Sequence, residues 1–138
     1  IHYIRHKARP FMFSAAMPPG SVGSVLECLN IIENEPTHIE RLRQNAKFMS
    51  ENLTRLGFET LGSQTPIVPI LVGSDEKAFR FTRRLYDNGV FATPVVSPAV
   101  PGGCALIRTS TMASHTREEL TEAVQALEQT GREFEIIG

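Results

Sequence analysis

The chain has 138 residues, 41% hydrophobic and 21% charged, with 14 Lys and Arg against 15 Asp and Glu. Such a composition supplies one globular core with no disulfide or metal staple, since a chain of this size buries roughly 68% of its unfolded surface. The near balance of charge argues against nucleic acid or an anionic membrane surface as the main partner. No apolar run approaches the roughly 20 residues that span a bilayer. Two cysteines, Cys28 and Cys104, are too few for a disulfide framework and point to a reducing compartment such as the cytoplasm. The first residue is Ile1, with no Met and no signal-like segment, as expected of a piece of a longer protein.

Residues 1–9 are polar and basic, with apolar spacing that fits the end of a helix. Pro10 is expected to stop it, and Phe11, Met12 and Phe13 read as a short buried strand. Residues 18–20 (PPG) form a turn with Ser21 as the expected N-cap of the next helix. Val22, Val25, Leu26, Leu29 and Ile32 line one face of that helix, which stops near Pro36. Thr37, with Glu40 three residues on, reads as a capping box. Ile39, Leu42, Ala46, Met49, Leu53 and Leu56 then recur at spacings of three and four, the cleanest amphipathic stripe in the chain. Gly57 predicts a left-handed cap after it.

Strands are predicted over residues 58–61 and 67–72, and Pro69 within the second argues for an edge position or irregular pairing. Asp75 opens a third helix with Ala78, Phe79, Thr82, Leu85 and Tyr86 on its inner side, closed by Asn88 and Gly89. Residues 90–96 and 105–111 read as strands around a Pro/Gly-rich loop at 97–103. Thr116 and Glu119 form a second capping box before a helix lined by Leu120, Ala123, Val124 and Leu127. From Thr37 the predicted order is αββαββα. This is an α+β domain with helices on one face of a small, mostly antiparallel sheet. The boundary falls near Pro36. Residues 1–36, a strand plus one long helix, cannot bury themselves and are expected to be the tail of a larger domain, whereas 37–138 has the size of a small C-terminal domain.

Motif patterns for phosphate loops, dinucleotide folds, zinc sites, redox CxxC pairs and serine nucleophile elbows are all missing from the sequence. His2 and His6 are four apart and can share a helix face, but a zinc site needs more ligands than this segment offers. Cys104, beside a Gly-Gly turn and far from any His, reads as a buried structural thiol. Lys7, Lys47 and Lys77 are the only lysines, and the latter two fall among polar helix positions, as solvated charges do. Arg108 differs. It follows Ala105, Leu106 and Ile107 on a strand expected to be internal, where a guanidinium needs a carboxylate or phosphate, and its planar fork suits two-point contact. A structural salt bridge and a substrate-carboxylate clamp both remain open. Ser14, after the first predicted strand, offers a hydroxyl to an anion.

Six segments fall in an order and spacing that resemble a known family. They are residues 8–19 (ARPFMFSAAMPP), 65–73 (TPIVPILVG), 89–94 (GVFATP), 98–103 (PAVPGG), 106–110 (LIRTS), and His115 with Thr116. Together they resemble the C-terminal third of the α-oxoamine synthases, pyridoxal-phosphate enzymes of the aspartate-aminotransferase fold. That family includes 8-amino-7-oxononanoate synthase, 2-amino-3-ketobutyrate CoA ligase, 5-aminolevulinate synthase and serine palmitoyltransferase. The resemblance implies a homodimeric acyltransferase that condenses an amino acid (glycine, serine or alanine) with an acyl-CoA, using pyridoxal 5'-phosphate as electron sink. It implies that Arg108 binds the amino-acid carboxylate and that Ser14 reaches the cofactor phosphate across the dimer. It also places the loop 98–103 near the mouth of the substrate site and makes His115 structural.

Two departures qualify it. Where serine palmitoyltransferases carry an extra arginine before the Pro-rich loop, this chain has Val96. The family's Schiff-base lysine lies in a Ser-rich motif that corresponds to sequence before Ile1, and none of the three lysines here sits in such a motif. The expectation is therefore a chain with no catalytic residue of its own, inactive alone because a covalent cofactor linkage needs that amine. The alternatives are a free-standing α+β binding or oligomerisation module without catalysis, and a fragment of another enzyme of the same fold type, such as an aminotransferase.

Overall fold

A computed structural model of the chain describes residues 1–12 and 15–138. The chain divides into two compact units, Ile1–Pro36 and Thr37–Gly138. In the first unit α1 (His2–Lys7) ends at Ala8, whose backbone is extended, and a helical turn, α2 (Arg9–Met12), follows. This corrects the strand expected at Phe11 and Met12, while Phe13 and Ser14 lie outside the described residues. Pro10 carries the fixed φ of a helix's first turn, and a three-residue apolar run cannot by itself distinguish strand from helix. Helix α3 (Pro19–Asn34) starts with proline in its first turn and has Pro18 at the cap position. Ser21 is thus inside the helix and not its cap, a displacement that Pro19 at the first helical position explains. Val25, Leu26, Leu29 and Ile32 are all exposed, and α3 buries no residue.

The second unit holds the core. Helix α4 (Thr37–Arg55) begins with Thr37 as its first helical residue and buries Met49 and Leu53. Gly57, at φ +94°, ends it as expected: the Phe58 N–H reaches the Leu53 carbonyl at 3.1 Å and the Gly57 N–H reaches Thr54 at 3.0 Å. These are the two bonds of a glycine-terminated helix. Residues 58–61 do not form the predicted strand. Only the Glu59 carbonyl accepts a sheet-like bond, from Leu71 N–H at 3.0 Å, and Leu61 turns the chain at φ +54°. Phe58 is buried instead as a plug.

Strand β1 (Ile67–Gly73), helix α5 (Asp75–Asp87), strands β2 (Thr93–Val95) and β3 (Ala105–Ser110), and helix α6 (Arg117–Glu133) complete the unit. The sheet is antiparallel with order β1-β3-β2, so β1, with Pro69, is an edge strand as its proline predicts. The observed order αβαββα is that of an α+β fold, with one strand fewer than the sequence suggested. Helix α5 differs in phase from expectation: it buries Ala78, Phe81 and Leu85, while Phe79 and Tyr86 are exposed. Its first turn is capped by Ser74, which accepts from Lys77 N–H at 3.2 Å. Helix α6 has both bonds of the Thr116–Glu119 capping box.

Alternation along the strands decides the layers. Val68, Ile70, Val72, Ala105 and Ile107 are buried with Phe81, Leu85, Leu120 and Leu127 in one cluster. Each buried Val, Ile, Leu or Phe side chain contributes on the order of 1.5–3 kcal/mol by leaving water, and Ala105 less. The residues between them, Ile67, Pro69, Leu71, Leu106, Arg108 and Ser110, are half-buried or exposed. Within this unit the helices therefore cover one face of the sheet and leave the other open.

Candidate anion and substrate site

Arg108 lies on the central strand, opposite Pro69 of β1 and Thr93 of β2. The central position agrees with the sequence. The side chain, however, is exposed on the open face. Among the described residues it makes no hydrogen bond or ion pair, in contrast to Arg80, Arg83, Arg84 and Arg132, which each meet a carboxylate. Among the described residues, therefore, Arg108 forms no structural salt bridge. Such a planar fork can take an anion at two points.

Pairing between β2 and β3 ends at Thr93 and Arg108. Beyond that point the two chains part, because Val90 N–H turns back to the Leu85 carbonyl at 2.9 Å to close α5. A cleft of about 660 Å³ fills the gap, with Arg108, Ser110 and Met112 on one side and Phe91 and Thr93 on the other. Leu120, Ala123 and Leu127 of α6 and Met49 of α4 also line it. Its apolar floor and unpaired guanidinium suit a ligand with a carboxylate and a small apolar part.

His115 also lines this cleft. Its Nδ1 accepts from the Met112 N–H at 3.2 Å, so the proton of the neutral ring sits on Nε2. The turn from Met112 to His115 is held from α4 by Asn45, whose amide nitrogen donates to the Met112 carbonyl at 3.1 Å and the His115 carbonyl at 2.9 Å. Asn45 was not among the residues selected from the sequence. A signal was present: it sits three residues after Leu42 and four before Met49, a polar residue on the inner stripe of α4.

The remaining candidates do not gather here. Ser14 lies outside the described residues. Cys104 is exposed, not buried, because it closes a surface turn with its N–H on the Pro101 carbonyl at 3.0 Å. Lys47 pairs with Glu51 at 3.7 Å on the surface of α4, and Lys77 of α5 does not line the cleft. His2 and His6 stack at 4.4 Å, and no group of three metal-ligating side chains occurs among the described residues. Among those residues no helix is long and apolar enough to cross a membrane. The loop at 97–103 is tied to α5 through Ser97 N–H and Asp75 Oδ1 at 3.4 Å.

The family model for aminotransferase class I and II matches residues 1–127. Serine palmitoyltransferase of Bacteriovorax stolpii is 48% identical over 136 residues, which cover 99% of this chain and 32% of that protein. The 8-amino-7-oxononanoate synthase/2-amino-3-ketobutyrate coenzyme A ligase of Thermus thermophilus is 47% identical, over 96% of this chain and 33% of its own length. A solved structure of SPT with PLP superposes with a TM-score of 0.87 at 27% identity, covering 99% of this chain and 35% of that one. The chain thus spans about a third of the length of the relatives it matches.

Proposed function

Because the chain belongs to the aminotransferase class I and II family, we propose that it is the C-terminal part of a pyridoxal-phosphate-dependent α-oxoamine synthase. In this reading residues 1–36 are the tail of the larger, cofactor-binding domain, and 37–138 is the small domain. The whole enzyme is a homodimer that joins an amino acid to an acyl-CoA. The names of the relatives above support that class, and the unpartnered Arg108 on the open face of the central strand carries it to a residue. A free fork held by a strand paired on both sides is suited to grip a carboxylate at two points and fix the α-carbon beside it.

When bound, pyridoxal phosphate supplies the electron sink for bond breaking at that carbon. The described residues fit only the substrate side of such a site. In this reading neither Lys47 nor Lys77, which do not line the cleft, supplies the amine for covalent attachment, and the chain is inactive alone. Its part is to bind and orient: Arg108 takes the carboxylate, Ser14 contributes its hydroxyl to the cofactor phosphate of the partner subunit, and the loop 98–103 borders the substrate entrance.

Substitution in the full-length protein tests the reading. Arg108→Ala is expected to raise the amino-acid KM steeply while cofactor binding is spared, and Arg108→Lys is also impaired because the two-point contact is lost. An unchanged KM for Arg108→Ala overturns it. The separate core of the second unit favours a second reading, a binding module without catalysis. Full-length protein that neither binds pyridoxal phosphate nor turns over any pair of amino acid and acyl-CoA supports that module instead.

A further inference from the structure

The open-face arginine stands at the last place where β3 has a neighbour on both sides. Towards β2 the pairing stops at Thr93 and Arg108, and the cleft begins there. Towards β1 it continues, with Thr109 Oγ1 donating to the Val68 carbonyl at 2.7 Å and Thr111 N–H to the Pro66 carbonyl at 2.9 Å. On the cleft side the strand is next held at the turn from Met112 to His115, by Asn45. That side chain is only 7% exposed and comes from a helix 67 to 70 residues earlier in the chain. Both its partners are carbonyl oxygens, so only the amide nitrogen can face them, and both of its hydrogens are used. The same turn is closed from within by Met112 N–H on His115 Nδ1 and His115 N–H on the Met112 carbonyl. The capping box of Thr116 then fixes it to α6.

We propose that Asn45, acting with His115, is a positioning residue that holds the exit of β3 and so sets the direction of the Arg108 fork. The proposal rests on the carboxylate role given to Arg108 above. Buried amides that satisfy two carbonyls are costly to remove, because the carbonyls are left without partners. The strand then relaxes on the side where the cleft offers no neighbour. Asn45 touches no ligand in this scheme; it acts on substrate only through Arg108.

A double-mutant cycle on the full-length enzyme tests this. Asn45→Ala is expected to raise the amino-acid KM by roughly tenfold with kcat little changed, as a small misplacement of a binding group does. In an Arg108→Ala background, Asn45→Ala is expected to add nothing to KM, since the residue it positions is gone. Asn52→Ala is the control on the same helix, because its amide nitrogen donates to the Phe48 carbonyl and its amide oxygen accepts from Arg55, both within one turn of α4. Equal KM effects of Asn45→Ala with and without Arg108 overturn the proposal, as does a matching KM rise for Asn52→Ala. If Asn45→Ala does not fold, His115→Ala reports on the same turn: the proposal expects its KM to rise by about threefold and to recover in His115→Asn, whose carbonyl can accept from Met112. An unchanged KM in His115→Ala then overturns it. If Arg108→Ala itself leaves KM unchanged, the carboxylate reading has failed; if only the Asn45 and His115 variants are silent, the positioning role alone has failed.

Discussion

The two faces of the three-stranded sheet are cut from the same residues taken alternately, yet they have opposite fates. Val68, Ile70, Ala105 and Ile107 are wholly buried under α5 and its neighbours, whereas Pro69, Leu71, Leu106 and Arg108 stay half-buried or exposed. One face holds the domain together. The other presents a floor on which, among the described residues, Arg108 is unpaired. The difference teaches that a strand's stability and its chemistry can be separated by one residue step, because successive side chains leave opposite sides of the pleat.

Denaturant unfolding of the chain breaks this comparison if both faces respond alike. The largest loss is expected on the closed face. Phe81→Ala should cost about 3–5 kcal/mol, since Phe81 is fully buried and packs edge-on to Phe134 with ring centroids 5.5 Å apart. Gly131→Ala comes next, at roughly 1–3 kcal/mol from overpacking. A Cβ there would meet the Phe58 ring at 2.5 Å, so the plug or the end of α6 must shift. Thr116→Ala should cost about 1 kcal/mol by losing the side-chain half of the capping box. The smallest effect belongs to the open face: Arg108→Ala should lie within about 0.5 kcal/mol of the parent. A large loss there would show that Arg108 has a structural partner after all, and would blur the division between the faces.

Much of this fold was legible in local chemistry. Gly57, the Thr116–Glu119 box and the edge-strand Pro69 each act through bonds to near neighbours or through the lack of one, so their patterns survive in a single sequence. Local pattern misled where two patterns competed. In α5, Phe79 with Tyr86 and Phe81 with Ala78 and Leu85 both make helical stripes, and only the position of the sheet chose the second. The predicted strand at 58–61 failed for a similar reason, since Phe58 finds its place in the gap left by Gly131, 73 residues along the chain.

The sequence by itself determined the fold class, most helix ends, the central strand that bears Arg108 and, through six ordered segments, a resemblance that agrees with the family match. These depend on spacing, on residue type and on short-range bonds. Only the tertiary structure decided that Arg108 is exposed with no partner among the described residues, that β2 and β3 part beside it, and that Asn45 clasps a turn 67 to 70 residues away. Such contacts join elements distant in the chain, and their energies depend on which surfaces meet. No periodicity along one strand or helix records that.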